Sequence, residues 1–234
     1  MSSMTTLPKH RYNRIAGLRA AVLGANDGIL SISSLILGVA SSHTQGQTLM
    51  VVGVAGLLSG TLAMAAGEYV SVKSQADAEA AEIEVERVHL DADYVGERAE
   101  LAAIYASRGL TTKLAEEVAA QLMAHDALGA HARDELGLSE TLRARPLLAA
   151  LSSGVSFGLG GAVPLLAAAN ADVPRMLIVT ATVSLAALAI LGAVAGRAGG
   201  ASPGKGAARV ALWGALSMAM TSAVGSLLGS HIGN

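Results

Sequence analysis

No cysteine occurs among the 234 residues, which excludes disulfides, thiolate metal ligands and cysteine nucleophiles. Charge is scarce as well. Charged residues make up 15% of the chain and hydrophobic ones 52%, whereas a soluble domain carries about a quarter charged residues. A nucleotide-binding loop is missing too: Gly204-Lys205-Gly206 lacks the required spacing, and no Ser or Thr follows the lysine. Work driven directly by ATP is therefore not expected, and neither is enzymatic chemistry.

The depletion of charge is local. Residues 20–41, 48–70, 147–169, 174–196 and 207–229 contain almost none, and each is long enough for the roughly 20 residues that a bilayer requires. Five transmembrane helices are expected. The first follows a basic stretch (Lys9, Arg11, Arg14, Arg19) but outruns the apolar core of a signal peptide and contains Asp27. Of sixteen Lys and Arg residues, only Arg175 falls between the third and fourth stretches. By the positive-inside rule the N-terminus, the long segment after the second stretch and the 197–209 loop are expected in the cytosol, with the C-terminus outside. The compartment expected is the cell (inner) membrane.

The chain divides into residues 1–71, a cytosolic insert over 72–145, and residues 146–234, with Arg143, Arg145 and Pro146 marking re-entry. From Glu68 to Val95 there is no Gly or Pro, so the second span is expected to continue as one long helix. A further helix over about 96–108 should end at Gly109. Another should start near Thr111 or Thr112 and run to about Leu136, with Gly137 as its stop. The fold class is thus an all-α membrane protein, five transmembrane helices with a three-helix acidic insert between spans two and three. Glycines crowd the second and third spans and suit close helix packing. Pro164 with Gly160-Gly161 is expected to kink or loosen the third.

Two carboxylates, Asp27 and Glu68, sit inside this apolar framework. An ionised carboxylate at the centre of a membrane helix costs roughly 2.5–3.5 kcal/mol, so it needs a partner, a cavity or an ion. Asp27, Ser31 and Ser34 share a helical face, as do Thr61, Met64, Glu68, Ser71 and Gln75. With spans one and two as antiparallel neighbours, Asp27 and Met64 lie roughly 10–12 Å deep at 1.5 Å per residue, and Glu68 lies nearer the cytosol. A thioether beside hard oxygens suits a borderline ion such as Fe²⁺ better than Mg²⁺ or Ca²⁺. A Met in a span can equally be core packing, and Glu68 beside Tyr69 also suits the membrane interface.

The second stripe continues through Glu79, Glu82, Glu86, His89 and Asp93, and residues 77–140 hold fifteen acids against five Lys or Arg. An acidic run is ordinarily a solvated face, but here it adjoins a charged membrane path, where it would concentrate cations. Glu86-x-x-His89 and Glu97-x-x-Glu100 each put two oxygen or nitrogen ligands on one helical face. His131 and Glu135 form an i, i+4 pair suited to completing a shared site. A second Glu-x-x-His is absent, which argues against a ferritin-like di-iron oxidase centre.

Ala25-Asn26-Asp27-Gly28-Ile29, Ala63-Met64-Ala65-Ala66-Gly67-Glu68-Tyr69-Val70-Ser71-Val72 with Ser74-Gln75, and the Gly-rich run from Ser156 to Pro164 together resemble the vacuolar iron transporter family, over nearly the whole chain. That resemblance implies a homodimeric exchanger that moves Fe²⁺, and often Mn²⁺, out of the cytosol against protons, along a path lined by spans one and two. It places the family's membrane Asp and Met on Asp27 and Met64. It places its cytosolic glutamates on Glu86, Glu97 and Glu100, with His89 where another glutamate is usual. Two departures stand out: Gly56 replaces an acid of the outer path in some members, and His131-Ala132 replace a Met-Met pair.

The residues expected to handle metal are therefore Asp27, Met64, Glu68, Glu82, Glu86, His89, Glu97, Glu100, His131 and Glu135. Fe²⁺ or Mn²⁺ is expected as transported substrate rather than as a permanent cofactor. Protons, membrane lipid and a second copy of the chain are the other expected partners, and no nucleic acid is. A membrane-anchored sensor or storage-linked protein that binds metal without moving it is the rival expectation, and a purely structural scaffold is a second.

Overall fold

The computed structural model describes residues 9–42, 44, 46–138 and 145–232; Arg143 lies outside them. Among the described residues every regular element is helical: α1 (Lys9–Ser41), α2 (Gln47–Ala92), α3 (Tyr94–Ser107), α4 (Thr112–Asp134), α5 (Pro146–Ala169), α6 (Met176–Ala198) and α7 (Pro203–Ile232), with a short 3-10 turn at Val173–Arg175. Helices α1, α2, α5, α6 and α7 are long and apolar enough to cross a membrane. Two compact units result, one from the chain up to Glu68 and from Leu147 onward, the other from Tyr69–Pro146; α2 contributes to both.

In the first unit α1 is the central helix. It packs on α6 and α7, which also pack on each other. Lipid supplies no hydrophobic drive for helix association, so close van der Waals contact must hold such a bundle together. A Cβ at Gly28 would fall on the Phe157 carbonyl of α5, and one at Gly160 on the Ala25 carbonyl of α1. Only glycine permits that crossing, and it lies directly beside Asp27. The expected loosening at Gly160-Gly161-Pro164 does not interrupt α5, which continues as one helix to Ala169. Ile32, Ile36, Leu49, Ala168 and Met176 form the apolar core. Large apolar side chains such as Leu151, Leu159, Ile178 and Trp213 remain exposed, a surface suited to lipid rather than water.

The second unit is held by Leu90 of α2, Leu101, Ala102 and Tyr105 of α3, and Ala115, Ala119, Met123 and Ala130 of α4. Helix α2 stops at Ala92 rather than at Val95 because Asp93 leaves the helical region (φ −145°, ψ 69°) and caps α3, its Oδ1 accepting the Gly96 N–H at 2.9 Å. Gly109 ends the next turn with φ +101°, and α4 starts at Thr112 with Thr111 as N-cap, as expected. The uninterrupted helix expected up to Leu136 is not found. Asp126 is extended (φ −161°, ψ 90°) and breaks α4 in two, and α4 ends at Asp134. Gly137 then turns the chain with φ +69°.

Candidate metal centre

The second unit brings four of the expected residues together. Glu86 from α2, Glu97 from α3, His131 from α4 and Glu135 at its end each offer a ligand atom, and these atoms lie within 4.8 Å of one another. Nδ1 of His131 is 2.7 Å from Oε2 of Glu135, 3.0 Å from Oε1 of Glu86 and 4.0 Å from Oε2 of Glu97. The contact to Glu135 is aligned as a hydrogen bond. The approach to Glu86 is not, and Glu86 Oε1 and His131 Nε2 are buried polar atoms without a protein partner. His131 is fully enclosed and Glu86 is 4% exposed.

Three carboxylates around one imidazole, two of the four groups dry, is a costly arrangement without a cation. The electrostatics carry that signature. Burial pushes the Glu86 carboxyl above its ordinary range, His131 and His89 oppose the shift, and Glu135 and Glu97 reinforce it. A divalent ion would outweigh these repulsions by its attraction to every carboxylate. Three oxygens and a nitrogen form a donor set that suits a borderline first-row divalent metal.

In each i, i+3 pair the first member turns into the cluster and the second stays outside. Glu86 is buried, whereas the His89 side chain is 58% exposed, with Nδ1 3.9 Å from Oε1 of Glu97. Glu97 is half-buried and Glu100 exposed. Three helical residues turn about 300°, so the two positions lie some 60° apart, enough for a cluster at the helix edge to take one and leave the other in water. Glu82 and His89 line a cleft of about 270 Å³ together with Val85, Glu86, Glu135 and Leu136. Gln75 and Glu79 hydrogen-bond each other along the α2 surface at 2.8 Å, a solvated face.

The residues that hold the cluster in place were not singled out by spacing. Asp134, next to Glu135, accepts hydrogen bonds from Tyr105 Oη at 2.8 Å, from Arg108 Nη1 at 2.6 Å and from Arg133 Nη2 at 2.7 Å. Arg108 also donates to the Asp134 backbone carbonyl at 2.6 Å. Burial works to raise the Asp134 carboxyl, but these donors outweigh it and hold it at about 2. The latch ties the end of α3 to the end of α4. Its only signal in the sequence is a pair of acid and base residues 26 positions apart, which no helical period connects.

In the first unit Asp27, Met64 and Glu68 are all half-buried. Phe157 relates the two helices: its carbonyl faces Gly28 on α1 and its ring faces Gly60 on α2. Asp27 and the turn before Met64 therefore lie at neighbouring levels. The expected Asp27-Ser31-Ser34 stripe divides. Ser34 is buried against α7, 3.1 Å from Ser217 Oγ, while Ser31 is exposed. Beside Asp27, Asn26 Oδ1 is buried without a protein partner.

Comparison with protein families matches residues 18–226 to the VIT family. Among individual proteins, the chain is 48% identical over 178 residues to a "Vacuolar iron transporter" of Acanthamoeba castellanii, covering 76% of this chain and 65% of that protein. It is 35% identical over 185 residues to "Vacuolar iron transporter homolog 5" of Oryza sativa subsp. japonica (77% and 67% covered). It is 34% identical over 188 residues to "Vacuolar iron transporter homolog 2.1" of Arabidopsis thaliana (79% and 70%). The matched region thus spans about two thirds of these relatives' own lengths. A family match over most of the chain, together with five membrane-length helices, leads to one conclusion: this chain belongs to the VIT family.

Proposed function

We propose that the chain is a secondary transporter that exports divalent iron or manganese from the cytosol in exchange for protons, along a path lined by α1 and α2 at the interface of a homodimer. The observation that carries this reading is the four-donor cluster of Glu86, Glu97, His131 and Glu135, with Glu86 and His131 buried, in a chain whose relatives are named iron transporters. The second unit collects the ion from the cytosol, with Glu82, His89 and Glu100 at its rim. Asp27 and Met64 bind the partly dehydrated ion in the membrane, and Glu68 stands at the inner end of the route. A proton from the far side neutralises Asp27 and so weakens its electrostatic hold on the metal. Dimerisation fits an α2 that leaves Val51, Val54, Leu58 and Leu62 exposed.

Purified protein in liposomes is expected to accumulate Fe²⁺ or Mn²⁺ under a pH gradient, with proton movement in the opposite direction. Metal flux that ignores the gradient would overturn the exchange. A protein that binds metal with no flux at all would instead be a membrane-anchored sensor or storage-linked protein, a reading favoured by the fact that all four cluster residues lie within one unit.

A further inference from the structure

The break in α4 has a physical cause and a consequence for the cluster. Ala115, Ala119 and Met123 form the buried stripe of the first part of α4. Continued as an ideal helix at 100° per residue, that stripe would pass through Asp126, eleven residues after Ala115, and through Ala130. Asp126 would then point a carboxylate into an apolar core, and His131 would lie about 100° beyond Ala130, outside the stripe. The observed chain does neither. Asp126 is exposed and extended, its Oδ1 accepts the Gly129 N–H at 3.0 Å, and a new helical segment starts in which Ala130 and His131 are both buried.

Gly129 donates the capped N–H. A Cβ there would fall on the Asp126 carboxylate, chiefly Oδ2, which would have to turn away from its present position. The same Asp-x-x-Gly pattern starts α3, where Asp93 accepts from Gly96 and a Cβ at Gly96 would again meet the carboxylate. Each Asp-x-x-Gly stands at the start of a segment that supplies the cluster, Glu97 in one case and His131 with Glu135 in the other. At its far end the second segment is closed by backbone bonds from Glu135 and Leu136 to the His131 carbonyl and by the Asp134 latch.

From this geometry we infer that Asp126 and Gly129 are positioning residues: the cap they form breaks α4 and turns His131 and Glu135 into the metal cluster. The inference rests on the metal reading proposed above for the cluster's function. Its positional half stands on the break alone.

The test uses the full-length protein in lipid nanodiscs, with Asp126→Ala, Gly129→Ala and the cap-competent Asp126→Asn. The first readout needs no metal: labelling of histidines by diethylpyrocarbonate. His131 should be protected in the wild type and in Asp126→Asn, with the exposed His89 and His125 labelled, and should become labelled in Asp126→Ala and Gly129→Ala. The second readout is Mn²⁺ affinity together with ¹⁴N couplings of bound Mn²⁺ in pulsed EPR, in a His89→Ala background so that the nitrogen observed is that of His131. Loss of the coupling and a roughly 10–100-fold weaker Kd, as for other residues that orient ligands, is expected for the Ala variants, with rescue by Asp126→Asn. Unchanged protection and unchanged coupling in both Ala variants would overturn the inference. Protected His131 with no Mn²⁺ bound by the wild type would overturn the metal reading and leave the positional half supported.

Discussion

Nδ1 of the enclosed His131 lies 3.0 Å from Oε1 of Glu86 without the alignment of a hydrogen bond. This contact joins the end of α4 to α2, and it shows two groups brought together by the fold but not satisfied by each other. Stability and metal binding should therefore pull in opposite directions at this position.

Glu86→Gln tests that opposition. Burial raises the Glu86 carboxyl in the folded protein, so an ionised Glu86 penalises the metal-free fold at neutral pH, and the penalty fades as pH falls through its raised range. Glutamine removes it. Metal-free Glu86→Gln should unfold at a higher temperature than wild type at pH 7.5, while its Mn²⁺ affinity drops at least tenfold in isothermal titration. A variant that loses both stability and affinity would show Glu86 to be a structural acid.

The Asp134 latch predicts an acid sensitivity of the second unit. The Asp134 carboxyl is held at about 2 against an ordinary 3.8, so its contribution is complete above about pH 4 and disappears as pH falls toward 2. The side chain is 13% exposed, and the linked stabilisation is on the order of 2 kcal/mol. Hydrogen exchange of α3 and α4 amides, taken relative to the intrinsic rate at each pH, should speed up over that interval in wild type. In Asp134→Asn it should already be faster at pH 6 and change less below pH 4.

At the α1–α5 crossing, Gly28→Ala should cost about 1–3 kcal/mol by overpacking, because the added methyl meets the Phe157 backbone rather than a side chain able to move. Gly67→Ala meets nothing within 4 Å and serves as the control. Thermal unfolding in detergent should separate the two. Equal melting temperatures would refute the close crossing.

Asp27→Asn separates binding from movement. The cluster lies in the other unit, so Mn²⁺ binding at the cluster, read from its histidine ¹⁴N coupling, should match wild type, while proton-driven uptake into liposomes should fall at least tenfold. Undiminished uptake would remove Asp27 from the path.

The sequence foretold the membrane helices closely, because a bilayer imposes a length and a polarity that any apolar run must meet. It also foretold the end of α3 and the start of α4, where Gly109 and Thr111 act through local backbone conformation. It did not reveal the break at Asp126. Helical periodicity runs straight through that position, and only the burial of Met123 on one side and His131 on the other makes a continuous helix untenable. The cluster was half legible for a similar reason: spacing proposes pairs such as Glu86 with His89, whereas the fold selects one member of each.

Taken alone, the sequence determined what short range decides: five spans, their punctuation, an acidic segment after the second, and a set of chemically suitable ligands. Tertiary structure decided which of those candidate residues share one cluster, that Ser34 turns to Ser217, and that Asp134 anchors Arg108 and Tyr105. These depend on contacts between residues far apart in the chain, and neither local propensity nor helical period carries that information.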